Sequence, residues 1–415
     1  MSRTVIKAGN LVDVINEKIL ENHTIVSQQD KIVWIGDNGS FEPESDDHVI
    51  DANDRFILPG LIDCHVHLGA TTAVESLKEK FRHKDHWFGY IALKHGQDHL
   101  KAGFTTLRDC GGDYWGSPLR QIFREGTFSG PRLLVAQRPI MQYGNQESMG
   151  PGDWIEFSKD RNEIPSGIDG VTHAVRDRKA SGSDFIKTMT TGGVLHGLES
   201  QLDRSLWTDE ELKAMVAEVN RLGMHLAVHA HGLHGIAKAA NAKVHTIEHC
   251  SFVDEETAKV MKQNNIYLIP TQTSAFMDKP DLMKQLDKEV QEKTIAVDSA
   301  MFANHKIAFD LGVKIALGTD AGVPGNPHGT SAREMTSYVK HVKMTPMQAL
   351  QTGTIEAAKA IRMDSSIGSL EVGKSADILV VDNNPLENIQ VLESSNNIDY
   401  VIKDGRILAK SGVLV

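Results

Sequence analysis

A regular alternation through the middle of the chain constrains its fold more than any other feature. Short β-branched runs at 60–67, 105–109, 132–136, 185–188, 225–229, 245–249, 267–271 and 314–319 take turns with helical stretches, such as 209–222 and 255–263. Eight strands alternating with helices predict an α/β protein built as a (β/α)8 TIM-type barrel. The two ends read differently. Runs at 4–8, 19–27, 31–35 and 48–51, and again at 377–381, 400–403 and 406–408, are β-rich and punctuated by Gly36-Asp37-Asn38-Gly39 and Lys403-Asp404-Gly405-Arg406. They predict one small β-sandwich built from both termini, residues 1–58 plus 365–415, around a barrel of residues 59–364. The charge-rich stretch 281–293 predicts a solvated helix.

In barrel enzymes the reacting groups lie at the C-terminal ends of the strands. Metal-ligand residue types fall at those ends here. His65 and His67 close the first run, two residues apart, so their side chains share one face. Lys187 lies in the fourth run, His229 closes the fifth, His249 closes the sixth, and Asp320 follows the eighth. A lone buried histidine is ordinarily a core residue; six such residues at one end of five runs point to a metal centre. Histidine and aspartate suit borderline ions such as Zn2+, with Mn2+, Co2+ or Fe2+ also accommodated. Lysine is the odd member. An ammonium cannot bind a cation, but a neutral amine that has reacted with carbon dioxide is a carbamate with two oxygens to offer.

Composition narrows the partners. The 415 residues carry a net charge of −11, which argues against a nucleic-acid partner. Cys64, Cys110 and Cys250 form no disulfide framework. Cys64 and Cys250, each beside a candidate ligand histidine, are expected to point away from it as packing thiols. No apolar run approaches the roughly 18–20 residues of a membrane span. The start lacks a signal-peptide core, so a cytoplasmic protein without membrane contact is expected.

The run Ile57-Leu58-Pro59-Gly60-Leu61-Ile62-Asp63-Cys64-His65-Val66-His67 resembles the opening signature of the amidohydrolase superfamily. The stretch 184–193, Val228-His229-Ala230-His231-Gly232, His245-Thr246-Ile247-Glu248-His249, Gly318-Thr319-Asp320-Ala321-Gly322 and the stretch 367–377 match the same pattern, so the resemblance covers nearly the whole chain. It implies the barrel, the terminal β-domain and two divalent metal ions. His65, His67 and Asp320 would hold one, His229 and His249 the other, and a carboxylated Lys187 would bridge them. It also implies amide hydrolysis by water activated between the metals, with Asp320 taking the proton and passing it to the leaving nitrogen.

Within the superfamily the sequence is most similar to imidazolonepropionase-like metal-dependent dipeptidases. Relatives often carry a Gly-Gly-His-Gly-type stretch after the third strand; this chain has Met141-Gln142-Tyr143-Gly144-Asn145, closest to prolidase-like members. Hydrolysis of Xaa-Pro dipeptides is therefore expected, with Xaa-Arg or other dipeptides, or a cyclic amide, as alternatives. A dipeptide needs contacts beyond the metals. His231 and Tyr143 are the leading candidates to donate to its carbonyl or carboxylate, followed by His328 and Arg138. His196 is a candidate lid residue, Tyr114-Trp115 candidate pocket walls, and Glu248 is expected to face outward toward a helix. Relatives commonly assemble, so a homo-oligomer acting on a small-molecule substrate is expected.

Overall fold

The computed structural model describes residues 3–73, 82–142, 165–195, 201–205 and 207–415. The middle of the chain forms seven parallel strands in two sheets. One is β5 (Leu61–Val66), β6 (Phe104–Asp109) and β7 (Arg132–Val135); the other is β8 (Ile186–Met189), β9 (Leu226–Ala230), β10 (Thr246–His249) and β11 (Tyr267–Ile269). Nearly every residue of these strands is buried, as parallel strands covered on both faces require. Helices separate most of them. The helix Asp209–Arg221 before β9 starts at a capping box, in which Thr208 and Glu211 each satisfy the other's backbone N–H.

The expected eighth strand, 314–319, is not one. It makes only isolated parallel bridges, Ile315 to Leu268 on one side and Ala321 to Val66 on the other. Packing explains the irregularity: Gly318 runs so close to its neighbours that a Cβ there would lie 2.3 Å from Ile269 Cγ2. Two residues on, Asp320 turns out of the pleat at φ 60°. The segment still joins the two sheets, since the Leu317 carbonyl accepts from Cys64 N at 2.8 Å and the Lys314 carbonyl from Leu268 N at 2.9 Å. The other seam is bridged by Ile140 beside Thr188.

The terminal strands come together in a β-domain built from both ends of the chain, as expected. They form one mixed eight-stranded sheet in the order β15-β14-β13-β12-β4-β1-β2-β3. Here β1 is Arg3–Asp13, β2 Lys18–Gln28, β3 Lys31–Asp37, β4 His48–Pro59, β12 Ile378–Val381, β13 Ile398–Lys403, β14 Arg406–Lys410 and β15 Val413–Leu414. The termini meet where β4 pairs parallel with β1 and antiparallel with β12. The sheet curls on itself, because Ile32 in edge strand β3 exchanges hydrogen bonds with the chain at Gly373 and Lys374 just before β12. Ile6, Ile25, Ile32, Ile57, Ile378 and Ile402 fill the core this encloses. Arg132 of β7 ties the sheet to the parallel strands by bonding both Asp377 and Asp404.

The stretch 281–293 is divided between a short helix, Pro280–Met283, and the start of the long helix Lys288–Asp310. Among the described residues no helix is long and apolar enough to cross a membrane.

Candidate active site

β5 places His65 and His67 on one side, and the left-handed turn at residue 320 brings Asp320 to meet them. Asp320 Oδ1 lies 3.3 Å from His65 Nε2 and 3.1 Å from His67 Nε2. A second cluster gathers at the ends of β9 and β10, where one nitrogen each from His229, His231 and His249 lie within 4.8 Å of one another. The His65 and His249 rings, 5.2 Å apart, join the two clusters. Lys187, from β8, sits among them: its charge acts on His65, His67, His229, His231, His249 and Asp320. Its Nζ is buried without a hydrogen-bond partner among the described residues. All seven side chains line one cavity of about 740 Å³, with Phe276, Val290, Val297 and Met301 on its apolar side.

Neighbouring groups fix which nitrogen each histidine offers. Glu248 Oε2 accepts from His65 Nδ1 at 2.7 Å and the Gly111 carbonyl from His67 Nδ1 at 3.1 Å, so both rings present Nε2 to Asp320. The Gly192 carbonyl, 3.2 Å from His229 Nε2, leaves Nδ1 of that ring. Thr271 Oγ1 pairs with His249 Nδ1 at 2.7 Å and Ser251 Oγ with His231 Nδ1 at 2.8 Å, which leaves Nε2 on both. His249 and Thr271 both have left-handed backbones, at φ 71° and 52°. Such strain in non-glycine residues persists only where surrounding structure holds it. His305 helps here, with its Nε2 2.6 Å from the His249 carbonyl oxygen.

The electrostatics suit a cation. Burial, then Lys187, pushes His65 down to about 4; burial takes His231 to about 4 and His229 and His249 well below the usual imidazole range. Those rings are neutral near pH 7, the form that ligates. Burial by itself would raise the Asp320 carboxyl, but His65, His67 and Lys187 outweigh it and hold it well below the usual carboxylate range. His67 moves the other way: burial lowers it, but the Asp320 carboxylate outweighs burial and raises it. An ionised carboxylate, four neutral imidazoles and an unpaired buried amine fit divalent metals, with the amine as carbamate.

Glu248 does not face outward as expected. It is fully buried, and its other oxygen pairs with Arg108 Nη2 at 2.8 Å and with Thr246 Oγ1. Burial would raise its carboxyl, but Arg108 and His65 hold it far below the usual range. Arg108 also donates to the Cys64 carbonyl and stacks on Phe185. Sequence reasoning missed this Arg108–Glu248–His65 chain, although a signal was present. An arginine inside the buried run 104–109 has to be paired.

The remaining candidates are dispersed. Cys64 Sγ points to the Ala357 carbonyl and Cys250 Sγ to that of Ile247, both away from the cavity, whereas Cys110 lines it. His328 stacks on His95 at 4.0 Å and its ring nitrogens face His99 Nε2 and the Ala70 carbonyl, so it buttresses the loop after β5 from behind the cavity. Arg138 pairs with Asp113 at 2.6 Å and lies over the Tyr114 ring. Trp115 lines the cavity; Tyr114 does not. Tyr143 and His196 lie outside the described residues.

Residues 56–408 match the sequence pattern of the family described as "Amidohydrolase family". A solved Xaa-Pro dipeptidase with methionine bound in its active site superposes with TM-score 0.87 and 34% identity, over 98% of this chain and 99% of that one. A prolidase solved with N-methylphosphonate-L-proline gives TM-score 0.89 and 27% identity, over 99% of this chain and all of the other. An ochratoxinase of Aspergillus niger is 27% identical over 99% of this chain and 87% of its own length.

Proposed function

The chain belongs to the amidohydrolase family of hydrolases acting on C–N bonds, and from that premise we propose that it is a binuclear metal-dependent dipeptidase that cleaves Xaa-Pro dipeptides. The observation that carries the reading is the buried, unpaired Lys187 amine set between two histidine clusters in one cavity. We read the two parallel sheets as one (β/α)8 barrel, with the cavity at the C-terminal ends of its strands.

His65, His67 and Asp320 would hold one ion and His229 and His249 the other, with a carboxylated Lys187 available to both. Two bound ions, for which zinc suits the donor set, would supply an activated water near neutral pH and polarise the amide carbonyl. Asp320, held ionised, is placed to take a proton and return it to the departing nitrogen. Glu248 and Gly111 keep His65 and His67 in the tautomer that ligation needs. Likeness over nearly the full chain to solved structures of a Xaa-Pro dipeptidase and a prolidase supports the substrate choice.

A second reading has its own support. Phe276, Val290, Val297 and Met301 line the same cavity as the candidate ligands, apolar groups suited to an amide with a bulky apolar substituent. A substrate screen with zinc- or manganese-supplemented enzyme separates the two. Turnover confined to Xaa-Pro dipeptides supports the first. Turnover of Xaa-Leu or aryl amides in preference supports the second. Silence on every dipeptide, with two metals bound per chain, would remove the dipeptidase reading and direct the search to cyclic amides.

A further inference from the structure

We propose that His99, on the helix Asp85–Lys101 between β5 and β6, is a positioning residue for the metal position formed by His65, His67 and Asp320. The proposal rests on the binuclear reading above.

A buried imidazole with both nitrogens bonded is by itself an ordinary core residue. His99 is fully buried, and what sets it apart is where its two bonds lead. Its Nε2 lies 3.1 Å from His328 Nδ1, and its Nδ1 lies 3.2 Å from Ser331 Oγ. Two arms start there and end on different parts of the site.

The first arm reaches the loop after His67. His328 Nε2 faces the Ala70 carbonyl at 3.2 Å, and the Ala70 N–H donates back to the His67 carbonyl at 2.9 Å. His95 lies four residues before His99 and so on the same face of the helix. It stacks on His328 at 4.0 Å and pairs with the Leu68 carbonyl at 2.8 Å. The second arm reaches the residues on either side of Asp320. Ser331 Oγ faces the Asp63 carboxyl and lies 3.5 Å from Thr319 Oγ1. Thr319 Oγ1 donates to Asp63 Oδ2 at 2.6 Å and accepts from Ala321 N at 3.2 Å. Asp63 Oδ1 accepts from His65 N at 2.9 Å and from Thr319 N at 3.2 Å. His65, His67 and Asp320 are each gripped through a chain neighbour, and the grips converge on one ring. The turn after Asp320 is wedged against the same parts: a Cβ on Gly322 would lie 2.6 Å from the His67 carbonyl oxygen and 3.1 Å from His328 Nε2.

The Ala70 carbonyl can only accept, and that sets the protons along the chain. His328 donates to it from Nε2. Burial, then His99, holds His328 well below the usual imidazole range, so the ring is neutral near pH 7 and its Nδ1 accepts. His99, which burial and then His95 push down to about 3, therefore donates from Nε2. Its Nδ1 accepts from the Ser331 hydroxyl, which shares its proton between His99 and Asp63. The position thus needs a donor on one arm and an acceptor on the other. Phenylalanine keeps the ring and supplies neither; glutamine can still donate to His328.

The test is metal binding. Purified full-length protein, stripped of metal, is titrated with Zn2+ against a chromophoric chelator and with Co2+ by visible absorption. Urea unfolding of the metal-free protein runs beside it. The variants are His99→Phe, His99→Gln and His328→Phe, the last of which keeps the stack on His95 and cuts the first arm. Wild type is expected to take two ions in two classes. His99→Phe is expected to weaken one class about 10-fold, the low end for groups that orient ligands. That class is the one Asp320→Asn also weakens. The spectrum of one cobalt ion should change, and the other class should stay intact, which also reports a folded variant. His99→Gln should recover part of the loss, and His328→Phe should weaken the same class by a smaller factor. The proposal is overturned if His99→Phe lowers the urea midpoint yet binds both ions with wild-type affinity and spectrum, which makes His99 a packing residue and leaves the binuclear reading standing. Equal weakening of both classes overturns it too. If His99→Phe does not fold, wild-type affinities and cobalt spectrum in His328→Phe overturn it. Wild type that takes fewer than two ions removes the binuclear reading itself.

Discussion

Replacing Glu248 by glutamine should cost both stability and metal affinity, for separable reasons. Glu248 and Arg108 are each fully buried, and the carboxylate serves Arg108, Thr246 and His65 at once. Glutamine keeps the volume but removes the charge, leaving Arg108 as a buried cation without its counter-ion. Breaking a buried pair by losing one partner costs about 3–5 kcal/mol. The amide also presents an N–H to a site with three donors, Arg108 and Thr246 on one oxygen and His65 on the other. Aimed at Arg108, it opposes another donor. Aimed at His65, it forces Nδ1 to accept, which moves the ring proton to Nε2, the nitrogen that faces Asp320. That tautomer cannot ligate. Losing such an orienting partner costs about 10–100-fold in metal affinity, which corresponds to roughly 1.4–2.7 kcal/mol.

Urea unfolding of the metal-free protein reads the first effect, and chelator competition the second. The double variant Arg108→Met with Glu248→Leu separates them. Removing both charges should recover most of the stability, as apolar replacements of buried pairs do, without recovering metal affinity. The reasoning is refuted if Glu248→Gln unfolds within about 0.5 kcal/mol of wild type, the spread expected for changes away from such features, and binds metal equally well.

Further outcomes are expected. Lys187→Met should lower metal content and abolish turnover, checked by elemental analysis and assay; a variant that keeps two ions and full turnover would remove the bridging role. Asp320→Asn should lower kcat by about 10²–10⁴-fold, the range for a positioned proton-transfer group, while circular dichroism shows a native fold. The Glu334 carboxyl is raised to about 7 by burial, against donations from Thr273 and Gln272. Its folded value exceeds its unfolded one, so its contribution is full below about 4.5 and is lost as pH rises toward 7, a swing of roughly 3 kcal/mol. The buried neutral histidines slope the opposite way, so the comparison is between wild type and Glu334→Gln: the difference should grow between pH 5 and 7, and parallel curves would refute it. Gly318→Ala should destabilise by about 1–3 kcal/mol through overpacking, since the new Cβ meets Ile269 at 2.3 Å and His65 Cβ at 2.9 Å; an unchanged urea midpoint would count against the close packing.

Local periodicity carried much of the fold. The alternation of runs placed seven strands correctly, and the two-residue period put His65 and His67 together because successive side chains of any strand alternate faces. The eighth run was misread because its centre, Ile315-Ala316-Leu317, is apolar like a buried strand, while the close approach of Gly318 to Ile269 is a fact of packing with no local sign. The division of 281–293 into two helices was equally hidden, since charge pattern alone does not mark residues 284–287 as a break.

The site divides along the same line. The sequence by itself determined which residue types stand at the strand ends, and through them the chemistry available: imidazoles, a carboxylate and an amine at His65, His67, Lys187, His229, His249 and Asp320. Only the tertiary structure decided how they are held. Glu248 reaches His65 across 183 residues, Arg108 reaches Glu248 across 140, and Asp63 anchors Thr319 across 256. Hydrogen bonds at such separations depend on how strands are ordered and staggered. Nothing in a local window sets that order, so the tautomer of each histidine and the gathering of His231 with His229 and His249 emerge only when the strands are assembled.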